Sequence, residues 1–351
     1  MAQDAAPTKP GLLERLERGP VICAEGYLFE LERRGYLQAG AFVPEIVLEQ
    51  PELVAQLHRE FVHAGSDVVE AFTYYLHREK MRIVGKEHLL EAINRKALEV
   101  AKEVAAESDA LFAGDICNTN VFAGDTESRA AVRAMFEEQV EWAVAAGVDF
   151  VIAETFSWGE EALIALEVIK DAGLPAVVTL AIHQEPETRE GWTPEEACKR
   201  LADRGADVVG LNCIRGPRTM LPLLRAIREA VDGHVAALPV PYRTHEGEPS
   251  FQSLRDPDYD GLPEGRPFPT ALDPFTCNRY ELADFARAAY DLGVGYLGVC
   301  CGAAPHHIRS VAEALGRTPP ASRYSADMSK HAFLGSDERL KRENREYAEK
   351  L

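Results

Sequence analysis

Eight short apolar runs, rich in β-branched residues, alternate along this chain with longer segments of helical period. The runs lie at 21–25, 68–72, 110–115, 150–155, 176–180, 208–213, 235–239 and 296–301. The helical candidates lie at 52–64, 89–107, 129–146, 160–172, 194–203, 220–231, 281–292 and 306–315. Strict alternation is typical of repeated βα units and a parallel sheet. Eight units favour a closed (β/α)8 TIM-type barrel over an open doubly wound sheet.

Two segments break this rhythm. Residues 239–277 are rich in Pro, Gly and Asp and are predicted to form a long loop after strand seven, which could be a lid or a partner surface. After Gly316 a Pro319-Pro320 break leads to a charged run that we predict to be helical. We therefore predict a barrel domain at 11–316 and a C-terminal arm at 317–351, which packs on another subunit or along the outside of the barrel.

The charge balance excludes several partners. The 351 residues include 57 acidic and 38 basic ones, giving a formal net charge of -19, which opposes binding to phosphate backbones and anionic membranes. The chain begins with a polar segment, and nowhere do about 18 apolar residues follow one another. Seven cysteines in a chain of this length do not suggest a disulfide scaffold. We expect a cytoplasmic protein with no nucleic-acid or membrane partner.

Polar side chains collect where the predicted strands end. In a (β/α)8 barrel these carboxyl ends face the active site. The residues there are Glu25, Glu70, Asp115, Glu154, Asn212-Cys213 and Cys300-Cys301. A barrel without a site has no need of so many carboxylates and thiols on one face. For Glu70 and Asp115, helix capping or pairing with arginine is an equally good interpretation.

The cysteines at strands six and eight predict a metal site. Cys213 and the pair Cys300-Cys301 can meet across the barrel mouth, although their strands are not adjacent. Three sulfurs suit Zn²⁺ in a tetrahedral site with one exchangeable position, which is the mark of a catalytic site. Zinc lowers the pKa of a bound thiol, so alkyl transfer to a thiol is the chemistry we expect. We interpret the isolated cysteines as core residues: Cys23, Cys117, Cys198 and Cys277.

Several motifs carry a family resemblance. They are Gly-Leu-Asn-Cys at 210–213, Gly-Val-Cys-Cys-Gly at 298–302, Leu-His-Arg-Glu-Phe at 57–61, Ala-Phe-Thr-Tyr-Tyr at 71–75 and Ile-Ala-Glu at 152–154. From about residue 21 to its end, the chain resembles the homocysteine S-methyltransferase family, and within it the betaine–homocysteine S-methyltransferases. Ser-Ala-Asp-Met-Ser-Lys at 325–330 and the closing charged run are similar to the C-terminal arm of the betaine enzymes. That arm builds oligomers, so the resemblance implies a homodimer or homotetramer.

The resemblance also implies a set of site residues. Zinc is expected on Cys213, Cys300 and Cys301, with the homocysteine sulfur as fourth ligand. Glu25 and Glu154 are expected to hold the amino-acid end of homocysteine. The tyrosine matching Tyr75 contributes to the donor site and can occupy the open zinc position. We further assign three residues to substrate binding: Phe42, Thr73 and Trp158.

The sequence departs from the family pattern at the substrate site. The first strand usually ends Asp-Gly-Gly, but here it reads Glu25-Gly26-Tyr27. Phe42 stands where the betaine enzymes carry a tryptophan, and Thr155 where they carry a tyrosine. We hypothesise that Trp158, Phe156 or Tyr27 refills the lost wall of an aromatic cage, giving a pocket tuned to another onium compound, such as dimethylsulfoniopropionate or a cyclic betaine. Ordinary packing is the alternative role of Trp158.

The expected reaction is therefore methyl transfer from a cationic betaine-type donor to the homocysteine thiol, forming methionine. One rival uses a sulfonium donor, dimethylsulfoniopropionate or S-methylmethionine, and another uses a different thiol or selenol acceptor. A rival of another class is a zinc-bound regulatory or assembly protein on the same scaffold. A barrel enzyme without metal, using Glu70 or Asp115 as a base, leaves the cysteine pair unexplained.

Overall fold

The sheet of this protein is a closed parallel barrel. The computed structural model describes residues 9–351. In this part of the chain the strands are β1 Val21–Ala24, β2 Val68–Glu70, β3 Leu111–Cys117, β4 Phe150–Phe156, β5 Ala176–Leu180, β6 Val208–Asn212, β7 His234–Leu238 and β8 Tyr296–Val299. Each strand pairs with the next, and β8 closes the barrel on β1. The predicted (β/α)8 architecture is confirmed.

Helices separate the strands and form the outer layer. They are α1 Leu12–Arg18, α2 Tyr27–Arg33, α3 Ile46–Glu49, α4 Pro51–Ala64, α5 Arg78–Ile83, α6 Leu90–Ala106, α7 Thr126–Ala146, α8 Gly159–Asp171, α9 Pro194–Asp203, α10 Pro217–Ala230, α11 Arg279–Asp291, α12 Pro305–Ala314 and α13 Arg342–Ala348. Side chains cap several of the long ones: Asp125 accepts from the Ser128 amide, and Asn278 forms a capping box with Glu281. The short helices α1, α2, α3 and α5 were not predicted, because they span too few residues to show a period.

The strands owe their continuous apolar character to their position. Every strand residue is buried except His234, which is half-buried. Since the barrel interior covers one face of the sheet and the helices cover the other, both faces must be apolar. At Gly298 of β8 a Cβ atom would lie 1.8 Å from the carbonyl oxygen of Cys23 in β1, so only glycine permits this contact just before the cysteine pair.

The loop after β7 lies over the barrel mouth. Residues 239–278 contain two 3-10 turns, at Pro263–Gly265 and Asp273–Phe275. The Phe251 amide donates to the carbonyl of Ile214, 2.8 Å away, and the Tyr242 hydroxyl accepts a hydrogen bond of 2.6 Å from Arg33 of α2. These contacts attach the predicted loop to elements on two sides of the mouth.

The arm begins at the opposite end of the barrel. Arg317 forms an ion pair with Asp67, whose carboxylate also accepts the amide of Ile22 in β1. Beyond this anchor the chain is mostly exposed, and its helix α13 covers less than the charged run that was predicted to be helical. The division into a barrel at 11–316 and an arm at 317–351 stays a prediction. Among the described residues, no helix has both the length and the apolar character that crossing a membrane requires.

Candidate active site

Three thiols meet at the carboxyl end of the barrel. Cys213 directly follows β6, and Cys300 and Cys301 directly follow β8. Their sulfur atoms all lie within 4.8 Å of one another. Strand β7 stands between the two cysteine-bearing strands and joins them: the Cys213 amide donates to the carbonyl of Leu238, and the Cys300 amide donates to that of Pro239, both at 2.9 Å.

The backbone around these thiols is held in unusual conformations. Cys213 has φ of 54° and Ile214 of 57°, and positive values also occur at Tyr75 (63°), Thr155 (63°) and Phe42 (50°). In a residue with a side chain, such a conformation costs on the order of 1–2 kcal/mol. It persists only where the surrounding structure enforces it, and such residues cluster at functional sites. All five line one cavity at the barrel mouth.

The three thiols are hydrogen-bonded to one another. Hydrogen bonds from the thiols of Cys300 and Cys301 hold the pKa of the Cys213 thiol well below its usual value. Burial raises the pKa of Cys300, and the hydrogen bond with Cys213 raises that of Cys301. Loss of a proton from Cys213 is therefore favoured, and the thiolate is the form that binds a metal cation.

This cluster fits a zinc ion. Zinc binds thiolate sulfur at about 2.3 Å, so two sulfurs of a tetrahedral site lie roughly 3.8 Å apart, within the 4.8 Å span found here. Three thiols leave one position of a tetrahedral site for another ligand, and the cavities beside them give that ligand access. The donor set and its spacing thus match a catalytic rather than a closed structural site.

Four buried carboxyl groups lie beside the thiols. Glu25, Glu70, Asp115 and Glu154 are each no more than 6% exposed. Oxygen atoms of Glu70, Asp115 and Glu154 lie within 4.8 Å of one another, and a second group of the same span joins Glu25, Glu154 and the sulfur of Cys300. Among the described residues, the N-caps of the helices that follow β2 and β3 are His77 and Asp125, and no arginine acts on Glu70 or Asp115, so that interpretation of the two carboxyl groups is wrong.

Asn212, the last residue of β6, holds this acidic cluster together. Its side-chain nitrogen donates to Glu154, to Glu25 at 3.3 Å and to the Thr155 hydroxyl at 2.8 Å. Its oxygen accepts the Thr155 amide at 2.9 Å. Since Cys213 is the next residue, one side chain fixes two carboxyl groups relative to the thiols. The sequence placed Asn212 at a strand end but gave no sign of this role.

Burial dominates the electrostatics of the acidic cluster. It raises the pKa of Glu25 well above the usual value, and the negative field of Glu154 adds to the effect. The pKa values of Glu70, Asp115 and Glu154 are raised well above their usual values for the same reasons. Among the described atoms, one oxygen each of Glu25, Glu70 and Asp115 has no hydrogen-bond partner, and neither has the Tyr27 hydroxyl. The cluster is therefore suited to receive a cationic group, which would restore the ionised carboxylates.

Two cavities meet at the thiols. The inner one, of about 20 Å³, is lined by the four carboxyl groups with Cys300 and Cys301. The outer one, of about 240 Å³, touches Cys213 and Cys301 and is lined by both aromatic and polar side chains. The aromatic residues are Phe29, Phe42, Tyr74, Tyr75, Phe251 and Phe268, and the polar ones include Asn118, Asn120, Ser157, His183, Arg189 and Gln252. Phe42 stacks on Phe29 with ring centroids 5.9 Å apart.

Not every residue assigned to substrate binding lines these cavities. Trp158 stands outside both linings and packs edge-on against Phe122, with ring centroids 5.5 Å apart. Thr73 is buried and donates to the carbonyl of Asp115 at 2.8 Å, so it supports the acidic cluster from behind. Phe156 packs in the core on Phe136. Of the three side chains considered for the lost cage wall, Tyr27 alone lines a cavity, the inner one.

Sequence reasoning missed several cavity residues. Phe251 and Phe268 lie in the loop after β7, and His183 and Arg189 lie in the loop after β5. Loop residues follow no period, so no hydrophobic pattern points to them. Their position after a barrel strand was the one available signal.

The buried carboxyl of Glu70 predicts an unusual dependence of stability on pH. Since its pKa is higher in the folded than in the unfolded chain, the folded state binds the proton more tightly, and stability is lost as pH rises above the unfolded value of about 4.3. At pH 8 a Glu70→Gln variant should have a larger free energy of unfolding than the unchanged protein. The gain should be about 1.4 kcal/mol for each unit by which folding raises the pKa of Glu70, and it should be smaller at pH 5. Urea unfolding at both pH values, with equal metal content, measures it.

Glu103→Gln is the matched control, because Glu103 is exposed on α6. It should change stability little at either pH. A Glu70→Gln variant that is less stable at pH 8 than the unchanged protein would show that this carboxylate is needed in its ionised form for the fold.

Comparisons with known proteins agree with this geometry. A family model described as homocysteine S-methyltransferase matches residues 22–315. Betaine–homocysteine S-methyltransferase 1 of Xenopus tropicalis is 39% identical over 370 residues, covering 99% of this chain and 87% of the relative. An S-methylmethionine–homocysteine S-methyltransferase of Pongo abelii is 38% identical over 339 residues, covering 93% of this chain and 87% of the relative.

A solved structure shares the fold. The homocysteine methyltransferase MmuM of Escherichia coli, in its metallated form, superposes with a TM-score of 0.65 at 18% identity, covering 84% of this chain and 95% of that one. Because the family model spans nearly all of the barrel and the relatives match almost the whole chain, this protein belongs to the homocysteine S-methyltransferase family and is a methyltransferase.

Proposed function

We propose that this enzyme uses Zn²⁺ to transfer a methyl group from a small cationic donor of the betaine type to the thiol of homocysteine, forming methionine. The observation that carries this proposal is the three-thiol cluster where the two cavities meet. The inner cavity is acidic and suits an ammonium group, and the outer cavity is lined by aromatic rings that suit an onium group. Homocysteine appears in the names of both relatives.

The acceptor end of the site follows from the acidic cluster. Glu25 and Glu154 would hold the ammonium group of homocysteine, and Asn212 orients both carboxylates through its side-chain nitrogen. An ammonium group there replaces the missing partners of the buried oxygens, so ordering of the amino acid and ionisation of the carboxylates favour each other. The acceptor sulfur then points toward Cys300, which shares a 4.8 Å cluster with Glu25 and Glu154.

Cys213, Cys300 and Cys301 would hold the zinc ion. When bound, Zn²⁺ lowers the pKa of a thiol ligand enough to make it a thiolate at neutral pH. No general base beside the acceptor sulfur is then needed, and the remaining task of the protein is alignment. The enforced backbone at Cys213, together with its hydrogen bond to β7, fixes one sulfur before substrate arrives.

The donor end of the site follows from the aromatic rings. Phe42 and Tyr75 would face the onium group through cation–π attraction, worth up to about 2 kcal/mol for each desolvated contact. Lys80 already lies 5.0 Å from the ring centre of Tyr75, so a donor competes with it or uses the other face. The donor loses its positive charge as the methyl group leaves, so a pocket that binds the cation too tightly would slow the reaction.

The relatives and the cavity wall both bear on the identity of the donor. The two relatives differ in the donor that their names state, betaine in one and S-methylmethionine in the other. Thr155 on the wall of the outer cavity leaves space where a larger side chain would stand, which favours a retuned pocket. A sulfonium donor, or another thiol or selenol acceptor, therefore remains the second candidate.

Kinetics with a panel of donors test the retuned pocket. Methionine formation from homocysteine should be measured with glycine betaine, a cyclic betaine, dimethylsulfoniopropionate and S-methylmethionine side by side. We expect the highest kcat/KM with an onium compound other than glycine betaine. Undiminished preference for glycine betaine over every other compound would reject the retuned pocket while leaving methyl transfer to homocysteine intact.

The cysteine cluster makes a direct prediction about metal. Replacing Cys213, Cys300 or Cys301 by alanine removes one of three sulfur ligands, so zinc retention after dialysis and methyl transfer should be lost together. Metal analysis and a methionine assay on the same samples measure both. Cys198→Ala is the matched control: Cys198 is equally buried but lies on α9, and its variant should retain metal and activity. A cysteine-cluster variant with full activity and no metal would refute zinc dependence.

We further propose that the arm at 317–351 assembles the protein into a homodimer or homotetramer. It exposes apolar side chains that a lone chain leaves in water: Tyr324 (69%), Met328 (54%), Leu334 (64%) and Tyr347 (55%). The cytoplasmic location expected from the sequence stays a prediction.

A further inference from the structure

We propose that Arg189 determines donor specificity by binding an anionic group of the methyl donor, so that the enzyme selects a zwitterion with an onium group at one end and a carboxylate at the other. This inference rests on the proposed function, because it assigns a role to one basic residue of the cavity in which the donor would lie. No residue of the thiol or acidic clusters is involved.

The outer cavity is lined by both aromatic and basic side chains. Phe42, Tyr75 and other aromatic rings line it together with Cys213 and Cys301, and Arg189 lines the same cavity. A cation is attracted to the faces of aromatic rings and repelled by a guanidinium group. A molecule that carries both charges should therefore place its positive end against the rings and its negative end at Arg189. A volume of about 240 Å³ suits a small organic molecule of this kind.

Among residues 9–351, the guanidinium group of Arg189 forms neither an ion pair nor a side-chain hydrogen bond, although most arginines of this acidic protein do so. The positive charge of Arg189 acts on the carboxylate of Glu161. That carboxylate, however, already accepts hydrogen bonds from the amide and the hydroxyl of Thr119, at 2.8 and 2.6 Å. The five donors of Arg189 thus remain available at the cavity rim for a planar anion, which a carboxylate matches in shape.

The loop after β5 is fixed in place for this role. The backbone amide of Arg189 donates to the carbonyl of Ser157 at 2.8 Å, and the Ser157 hydroxyl lies 3.0 Å from Nε2 of His183. Thr188 closes a tight turn by accepting the Trp192 amide on its hydroxyl at 3.1 Å. Arg189 and His183 therefore project from one braced loop rather than from independent flexible segments.

A buried arginine ties this loop to the thiol cluster. Arg215, two residues after Cys213, donates to the carbonyls of Ile182, His183 and Gln184 at 3.0, 2.6 and 3.0 Å. Its charge is satisfied by these dipoles, so it acts as a positioning residue and not as a second anion site. Arg215 thereby fixes the start of the loop that bears Arg189 relative to Cys213, so the protein would select donors by the separation of their two charges.

The experiment compares donors that differ only in the carboxylate. KM and kcat are measured with glycine betaine and dimethylsulfoniopropionate and with counterparts that keep the onium group but carry an uncharged carboxamide in place of the carboxylate. Arg189→Gln should raise KM for the carboxylate donors about tenfold, the loss expected for a charged hydrogen bond, and leave KM for the carboxamides and for homocysteine unchanged. Arg189→Lys should recover part of the loss. Arg218→Gln, which removes an exposed arginine lining a different surface cavity, should change neither.

Equilibrium dialysis of the same compounds against the zinc-loaded full chain separates this inference from the proposed function. Carboxylate donors that bind in an Arg189-dependent manner without any methyl transfer would overturn the function and support the inference. Methyl transfer with KM values for the carboxylate donors that are equal in Arg189→Gln and the unchanged protein would support the proposed function and overturn the role of Arg189. An equal loss for carboxamides, an altered KM for homocysteine instead, or no donor binding at all would also overturn the assignment of Arg189.

Discussion

Two backbone hydrogen bonds to β7 hold the site together. The amides of Cys213 and Cys300 reach the carbonyls of Leu238 and Pro239 at the end of that strand, and through them two strands that do not touch present their thiols to one point. In a parallel barrel the carboxyl ends of all strands lie at the same end of the barrel. The thiols can therefore meet there without any additional secondary-structure element. The positive φ at Cys213 turns its side chain out of the strand path into the mouth.

The charged and aromatic groups around the three thiols suit methyl transfer to the thiol of an amino acid. Buried carboxyl groups line the inner cavity beside the thiols, and aromatic rings line the outer cavity together with the guanidinium group of Arg189. The acidic cluster is costly without a cationic partner because burial and mutual repulsion oppose ionisation. A ligand with an ammonium group would relieve that cost, and one without such a group would not.

The sequence predicted the barrel, its strands to within two residues at each end, and the meeting of Cys213 with Cys300 and Cys301, because apolar period and strand-end position are local properties. It did not distinguish Glu70 as part of a cluster from Glu70 as a cap, since that depends on which strands are neighbours. The roles of Asn212 and Arg189 depend on side-chain direction and loop conformation, which leave no periodic signal. Trp158 was assigned from its residue type, and the structure places it against Phe122 instead.

X-ray absorption at the zinc edge counts the sulfur ligands of the metal. On the purified, zinc-loaded protein, we expect three sulfur ligands at about 2.3 Å and a fourth when homocysteine is added. A zinc ion surrounded only by oxygen or nitrogen, or a sulfur count that stays unchanged on addition of homocysteine, would contradict it.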